Sequence, residues 1–148
     1  MEALRLYPVV TCTSFLWFEH GAKLGPLYLQ PKESFLVDIF GLHRNGDYWQ
    51  RPKEFLPDRF DALHPLSKTP TGQKRNPYAF LPFNGGKRIC FGKTFAECVL
   101  KVVVTMVSQT FDMKFVQEGK YTKDNLPVLA IAMSHIPELP VIVTERKA

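Results

Sequence analysis

Apolar residues change their spacing several times along the chain, and each change marks a candidate element. Residues 2–7 are helix-compatible and stop at Pro8, with no capping residue ahead of them. This reads as a helix entered partway, as in a truncated chain. Residues 9–18 are rich in β-branched and aromatic side chains and predict extended backbone. Residues 21–26 predict a turn, and residues 27–29 and 34–40 two short strands around the turn Gln30-Pro31-Lys32-Glu33. Residues 43–49 predict a loop or short helix. Between 51 and 82 prolines recur at Pro52, Pro57, Pro65, Pro70, Pro77 and Pro82, which predicts a long segment without regular structure. Such segments are uncommon in compact domains unless functional or disordered.

Residues 93–118 contain neither Gly nor Pro. Phe95, Val99, Val102, Val103, Met106 and Val107 recur at helical spacing, with Ala96, Leu100, Val103 and Val107 as an adjacent row. The face is wide, so a helix over 93–110 is expected to be largely buried, with Cys98 as an inert core thiol. Glu97 and Lys101 form an i,i+4 pair on its polar side. Residues 111–116, 128–133 and 141–144 read as strands, with a turn over 137–140. The pattern is α+β, mainly helical with small β-sheets at the side.

Composition narrows the classes. The 148 residues are 45% hydrophobic and 22% charged, which is globular and not disordered. No apolar run approaches the ~18 residues of a membrane-spanning helix. Pro8, Thr11, Thr13 and Ser14 interrupt the first apolar stretch, so no targeting leader is expected. Three cysteines without paired spacing argue against a disulfide framework and a four-cysteine zinc site. The net charge is +5, but the lysines and arginines are dispersed, so no nucleic-acid partner is expected.

The chemistry concentrates in Phe83-Asn84-Gly85-Gly86-Lys87-Arg88-Ile89-Cys90-Phe91-Gly92, a glycine-rich turn with a cysteine at its end, just before the long helix. Backbone N–H groups and the dipole of a helix N-terminus favour an anion, and hold a cysteine as thiolate. Such a thiolate is a nucleophile or a metal ligand. The glycines let a large flat group approach the backbone, and Arg88 can grip a carboxylate with two bonds. A thiolate ligand, a flat gap and a carboxylate-binding arginine together describe a haem site. Taken alone, Cys90 would read as a buried small hydrophobe. Gly92-Lys93-Thr94 imitates the end of a phosphate-binding loop, but Lys87 stands where that loop needs glycine. A catalytic pair of cysteine with His20, His43, His64 or His135 has no local signature.

The order F-x-x-G-x-R-x-C-x-G, filled by Phe83, Gly86, Arg88, Cys90 and Gly92, resembles the haem-binding signature of the cytochrome P450 family. Glu2-x-x-Arg5, followed by Leu6-Tyr7-Pro8, resembles that family's E-x-x-R helix motif. Pro57-Asp58-Arg59-Phe60 resembles its P-E-R-F element, with Asp58 in place of the usual glutamate. His43-Arg44, followed by Trp49 and Pro52, is similar to the segment between them. The order and spacing match along the entire chain.

The resemblance implies the C-terminal part of the cytochrome P450 fold. Residues 1–148 would be the C-terminal portion of a single domain, from the E-x-x-R helix through the haem-binding loop to the terminal β-hairpin. The cofactor would be haem b, with Cys90 as the metal ligand and Arg88 on a propionate. Phe83 would pack near the sulfur, and Gly86 and Gly92 would shape the loop. His43 would reach a propionate or cap a turn. Glu2, Arg5 and Arg59 would form a buried structural triad, where Glu2 and Arg5 alone would read as a solvated pair. Val9, Val10, Thr11, Ala132 and Met133 would touch substrate, or else pack as ordinary strand residues.

The implied reaction activates dioxygen and inserts one oxygen atom into a hydrophobic small molecule. Electrons would come from a flavin or iron–sulfur donor, with Lys87, Lys93 and Lys101 near the docking side or simply solvated. Intact eukaryotic relatives are usually anchored in the endoplasmic-reticulum membrane by an N-terminal helix. The family's upstream helix, which carries an acid and alcohol pair for proton delivery, is not among these residues. The competing expectation is therefore a catalytically inactive truncated remnant or interaction domain that retains the haem signature.

Overall fold

A five-residue helix cannot hold itself in water. Helix α1 (Glu2–Leu6) exists because Glu2, Arg5 and Leu6 are buried in contacts with distant parts of the chain. The computed structural model describes residues 1–116, 129–131, 133–135 and 140–146. It divides into two units, Met1–Pro82 with Ala130–Ser134, and Phe83–Leu129 with His135–Ala148.

In the first unit, β1 (Ala22–Leu24) and β2 (Leu27–Leu29) form an antiparallel hairpin with Leu24 opposite Leu27. Gly25 adopts φ +57 in the connection, a conformation glycine reaches without steric cost. The expected hairpin around residues 30–33 is therefore displaced: the strand partner of residues 27–29 lies before them, inside the segment expected to be only a turn. Residues 34–40 do not form a regular strand. They make isolated bridges, Leu16 with Phe35 and Cys12 with Asp38. Residues 9–18 are likewise extended without forming a strand element. The Asp38 carboxylate then accepts from the Gly41 N–H at 2.9 Å and starts α2 (Ile39–Leu42), which ends the extended run.

The proline-rich segment is better ordered than its composition suggests. Short 3-10 turns begin on Pro57, Pro65 and Pro77, where the fixed φ suits a first helical position and the missing N–H costs nothing. They bring Phe60 and Phe80 to 5.0 Å between ring centroids, and both lie 6.1 Å from Trp49. Trp49, Ile39, Leu6 and Ala79 are the buried apolar centre of this unit.

In the second unit, α3 (Lys93–Thr110) runs into β3 (Phe111–Phe115). Strands β4 (Leu129–Ile131) and β5 (Met133–His135) form a two-stranded sheet that falls mostly in the first unit. Strand β6 (Val141–Glu145) pairs antiparallel with β3, from Phe111 opposite Glu145 to Phe115 opposite Val141. The expected turn over 137–140 lies, but for Pro140, outside the described residues. The expectation of a largely buried helix is corrected: α3 contains no buried residue, and Phe95 is 76% exposed. Val102, Val103 and Met106 are also exposed, as is Cys98, which is therefore not a core thiol. Among the described residues, little packs on this face beyond the following strand. Among the described residues, no helix is long and apolar enough to cross a membrane.

Candidate functional site

Two constellations follow from the motifs, one in each unit. In the first, Arg5 folds back on Glu2, donating from Nε to Oε2 and from Nη2 to Oε1, both at 2.7 Å. Arg59, 57 residues away, donates from Nε to Oε1 at 3.1 Å, and the Leu56 N–H donates to the same oxygen at 3.0 Å. The remaining guanidinium N–H groups go to carbonyls: Arg5 to those of His43, Pro52 and Glu54, and Arg59 to those of Gln50, Arg51 and Glu54. All three side chains are almost inaccessible to solvent. A buried cluster with two guanidinium groups on one carboxylate is tolerable only because nearly every lone pair and N–H is used. Burial alone would push the Glu2 carboxyl up. The Arg5 and Leu56 bonds and the charges of Arg5 and Arg59 overcome this and hold it below its ordinary value. Burial draws Arg59 and Arg44 down from the usual arginine range.

His43 belongs to this constellation and not to an open face. Its ring is fully buried, and Nε2 accepts from the Leu81 N–H at 2.8 Å. Burial takes it down to about 4, against the pull of the Arg5 and Leu4 backbone beside it, so it is neutral near pH 7. Of the two roles the sequence allows, the burial and the Leu81 bond fit the structural one. Sequence reasoning missed three supports. The Leu56 N–H and the Gln50 side chain, which donates to the carbonyls of Pro65 and Lys68 at 3.1 Å, carry no sequence signal. Arg75 lies over Trp49 at 3.8 Å, on the opposite sequence flank from Arg5 at 5.1 Å.

In the second unit, the Cys90 N–H donates to the Phe83 carbonyl at 2.8 Å and closes residues 83–90 into a loop. Asn84 and Gly86 both adopt left-handed φ, +58 and +63. Nothing lies within 4 Å of where a Gly86 Cβ would stand, so conformation and not space requires glycine there. The Lys93 N–H donates to the Cys90 carbonyl at 3.2 Å, and Gly92 starts α3 without a side-chain cap. The thiol of Cys90 is thus carried just ahead of the amide end of an 18-residue helix. It is free and exposed. Ile89 and Phe91 beside it are also exposed, Phe91 completely. Phe83 is half-buried, and Arg88 is exposed with no ion pair among the described residues.

A haem fits this loop on its own terms. The thiol is accessible, apolar side chains flank it, the backbone at Gly86 is open, and a guanidinium is unpaired. Among the described residues no three His, Cys, Asp or Glu side chains cluster as a metal held by protein alone would need.

The expected substrate residues are dispersed in kind. Val9 and Val10 are exposed, 55% and 38%, whereas Thr11 is buried and its carbonyl accepts from the Phe40 N–H. Met133 lies in β5, and Ala132 falls outside the described residues. Lys87 and Lys101 are exposed and Lys93 is half-buried.

A family model described as Cytochrome P450 matches residues 1–140. Lithocholate 6-beta-hydroxylase of Mesocricetus auratus is 32% identical over 142 residues, covering 96% of this chain and 26% of its own length. Probable cytochrome P450 4p2 of Drosophila melanogaster is 31% identical over 110 residues, covering 74% of this chain and 20% of its own length. The solved structure of retinoic acid bound cyanobacterial CYP120A1 aligns with a TM-score of 0.79 at 26% identity, over 98% of this chain and 31% of that one. The chain therefore spans only 20% to 26% of these curated relatives.

Proposed function

Because the chain belongs to the cytochrome P450 family and shares its fold, we propose that it supplies the thiolate-ligand portion of a haem monooxygenase. Residues 1–148 are read as the C-terminal part of a single catalytic domain. Cys90 holds the iron, Arg88 binds a haem carboxylate, and Phe83 packs beside the sulfur. Gly86 and Gly92 keep the loop tight enough for a flat group to lie against it. When bound, haem supplies reductive activation of dioxygen and insertion of one oxygen atom into an organic substrate. The chain's own residues would position that group. Glu2, Arg5 and Arg59 fix the segment that leads to the loop.

The observation that carries this reading is the exposed Cys90 thiol on a loop closed by its own N–H to the Phe83 carbonyl. The exposure of Val9 and Val10 supports a substrate-facing role, with Met133 and Ala132 as further contacts, while Thr11 acts through its backbone. Lys87 and Lys101 suit an acidic flavin or iron–sulfur donor. A microsomal location, as in eukaryotic relatives, is part of the same proposal. The second reading, a haem-binding or interaction remnant without turnover, draws on the uncovered apolar face of α3.

The test joins this chain to the preceding part of a relative's domain and records the ferrous-carbonyl spectrum. The red-shifted Soret band of thiolate ligation is expected, and Cys90→Ser should abolish it. A normal band in that variant would assign the ligand to another thiol. A band without substrate-dependent product would favour the remnant.

A further inference from the structure

The first unit holds a second site that the haem reading leaves unused. A cleft of about 530 Å³, within the ~300–1,000 Å³ range of small-molecule sites, opens over Trp49, Phe60 and Phe80. Lys68, Lys74 and Arg75 line it, and no aspartate or glutamate does. We propose that this cleft binds an aromatic anion, with a planar ring against the partly exposed Phe60 and Phe80 and a carboxylate or phosphate among the three cations.

The argument rests first on the lysines. Lys68 and Lys74 stand directly opposite one another in an isolated antiparallel bridge. Such a pair places both side chains on one face, and like charges so placed repel. The loop nevertheless holds them there. The Thr69 N–H donates to the Gln73 carbonyl at 2.8 Å, the Gln73 N–H donates to Thr69 Oγ1 at 3.1 Å, and Gly72 takes φ +78 at the turn. Gln50 ties the loop's near end to the body of the unit through the Lys68 carbonyl. The repulsion is therefore built into a closed turn, and a bound anion would relieve it.

Arg75 adds a fixed third charge. Its Nε donates to the Tyr48 carbonyl at 3.1 Å and its Nη2 to the Leu66 carbonyl at 2.8 Å. Burial draws it down to about 10, so it stays charged near neutrality. None of the three cations takes an ion pair among the described residues. The one carboxylate that acts on Arg75 is Glu2, already shared by Arg5 and Arg59. Phe60 and Phe80 are the accessible rings of the floor, and Trp49 lies fully buried with the Arg75 guanidinium over its face at 3.8 Å. Preorganised charge over an aromatic floor selects a ring with an acid group over either part alone.

The test is an NMR titration of the ¹⁵N-labelled 148-residue chain, following the Trp49 indole N–H, with Trp17→Phe to assign it. Phenyl phosphate and benzoate separate the phosphate and carboxylate forms of the ligand, while inorganic phosphate and phenol supply each half alone. A saturable shift is expected for at least one aromatic anion, at least tenfold tighter than for inorganic phosphate and absent for phenol. Lys68→Glu and Lys74→Glu lie on exposed side chains and should each weaken it at least tenfold without altering the remaining spectrum. Equal affinity for inorganic phosphate, indifference to both charge reversals, or no shift with any probe would overturn the proposal. Cys90→Ser should bind as the unaltered chain does, which separates this site from the haem reading.

Discussion

Glu2 takes four hydrogen bonds from three partners, and its removal strands two guanidinium groups in a place that water does not reach. Glu2→Ala should destabilise the first unit by roughly 3–5 kcal/mol, measured by urea unfolding. The depressed carboxyl also sets a pH limit. Its contribution is complete above the ordinary value of 4.5 and is lost as pH falls through the lower folded value. His43 acts in the window above. It is neutral in the fold down to about 4 but protonates near 6.5 when unfolded, so stability should fall as pH drops from 6.5 to 4. The full effect is about 3 kcal/mol. His43→Gln, which can still accept from the Leu81 N–H, should flatten that slope, and an unchanged slope would place the titration elsewhere.

At the scale of elements, what could be read from the sequence was what depends on neighbours in the chain. The start of α3 follows from its run without Gly or Pro, whereas the hairpin β1–β2 was missed because β2 was paired with the wrong flank. Residues 34–40 looked like a strand because Phe35, Leu36 and Val37 are β-formers, and the Asp38 cap overrides them. The proximity of Glu2, Arg5 and Arg59 was legible only through motif order. The Leu56 and Gln50 bonds were not, because backbone donors and amides form them anywhere the fold brings them. The burial of α3 was misread because periodicity reports an apolar face and not what covers it. That face should drive self-association of the isolated chain. Val102→Glu with Met106→Glu should lower the sedimenting mass while leaving helical circular dichroism unchanged, since glutamate is a better helix former than valine and the equal of methionine.

At the scale of the whole molecule, the chain spans 20% to 26% of its curated relatives, and the Cys90 loop faces solvent with Ile89 and Phe91. Haem resting on this loop alone would keep a face in water, and exclusion of water is what makes such chemistry productive. The 148-residue chain, supplied with haem and a reductase, should form no NADPH- and substrate-dependent product above its Cys90→Ser control. Turnover above that control would show that these residues suffice.

The buried ionic cluster also has a consequence in time. Glu2 and Arg59 are 57 residues apart, and a ribosome adds ~5–20 residues each second. Roughly 3–11 s therefore pass between the synthesis of the glutamate and that of its second arginine. During that interval α1 is too short to persist and its charges remain hydrated. The Glu2 cluster is thus completed only when Arg59 arrives, and a pause in translation between the two would prolong the stage in which α1 is open to proteases and chaperones.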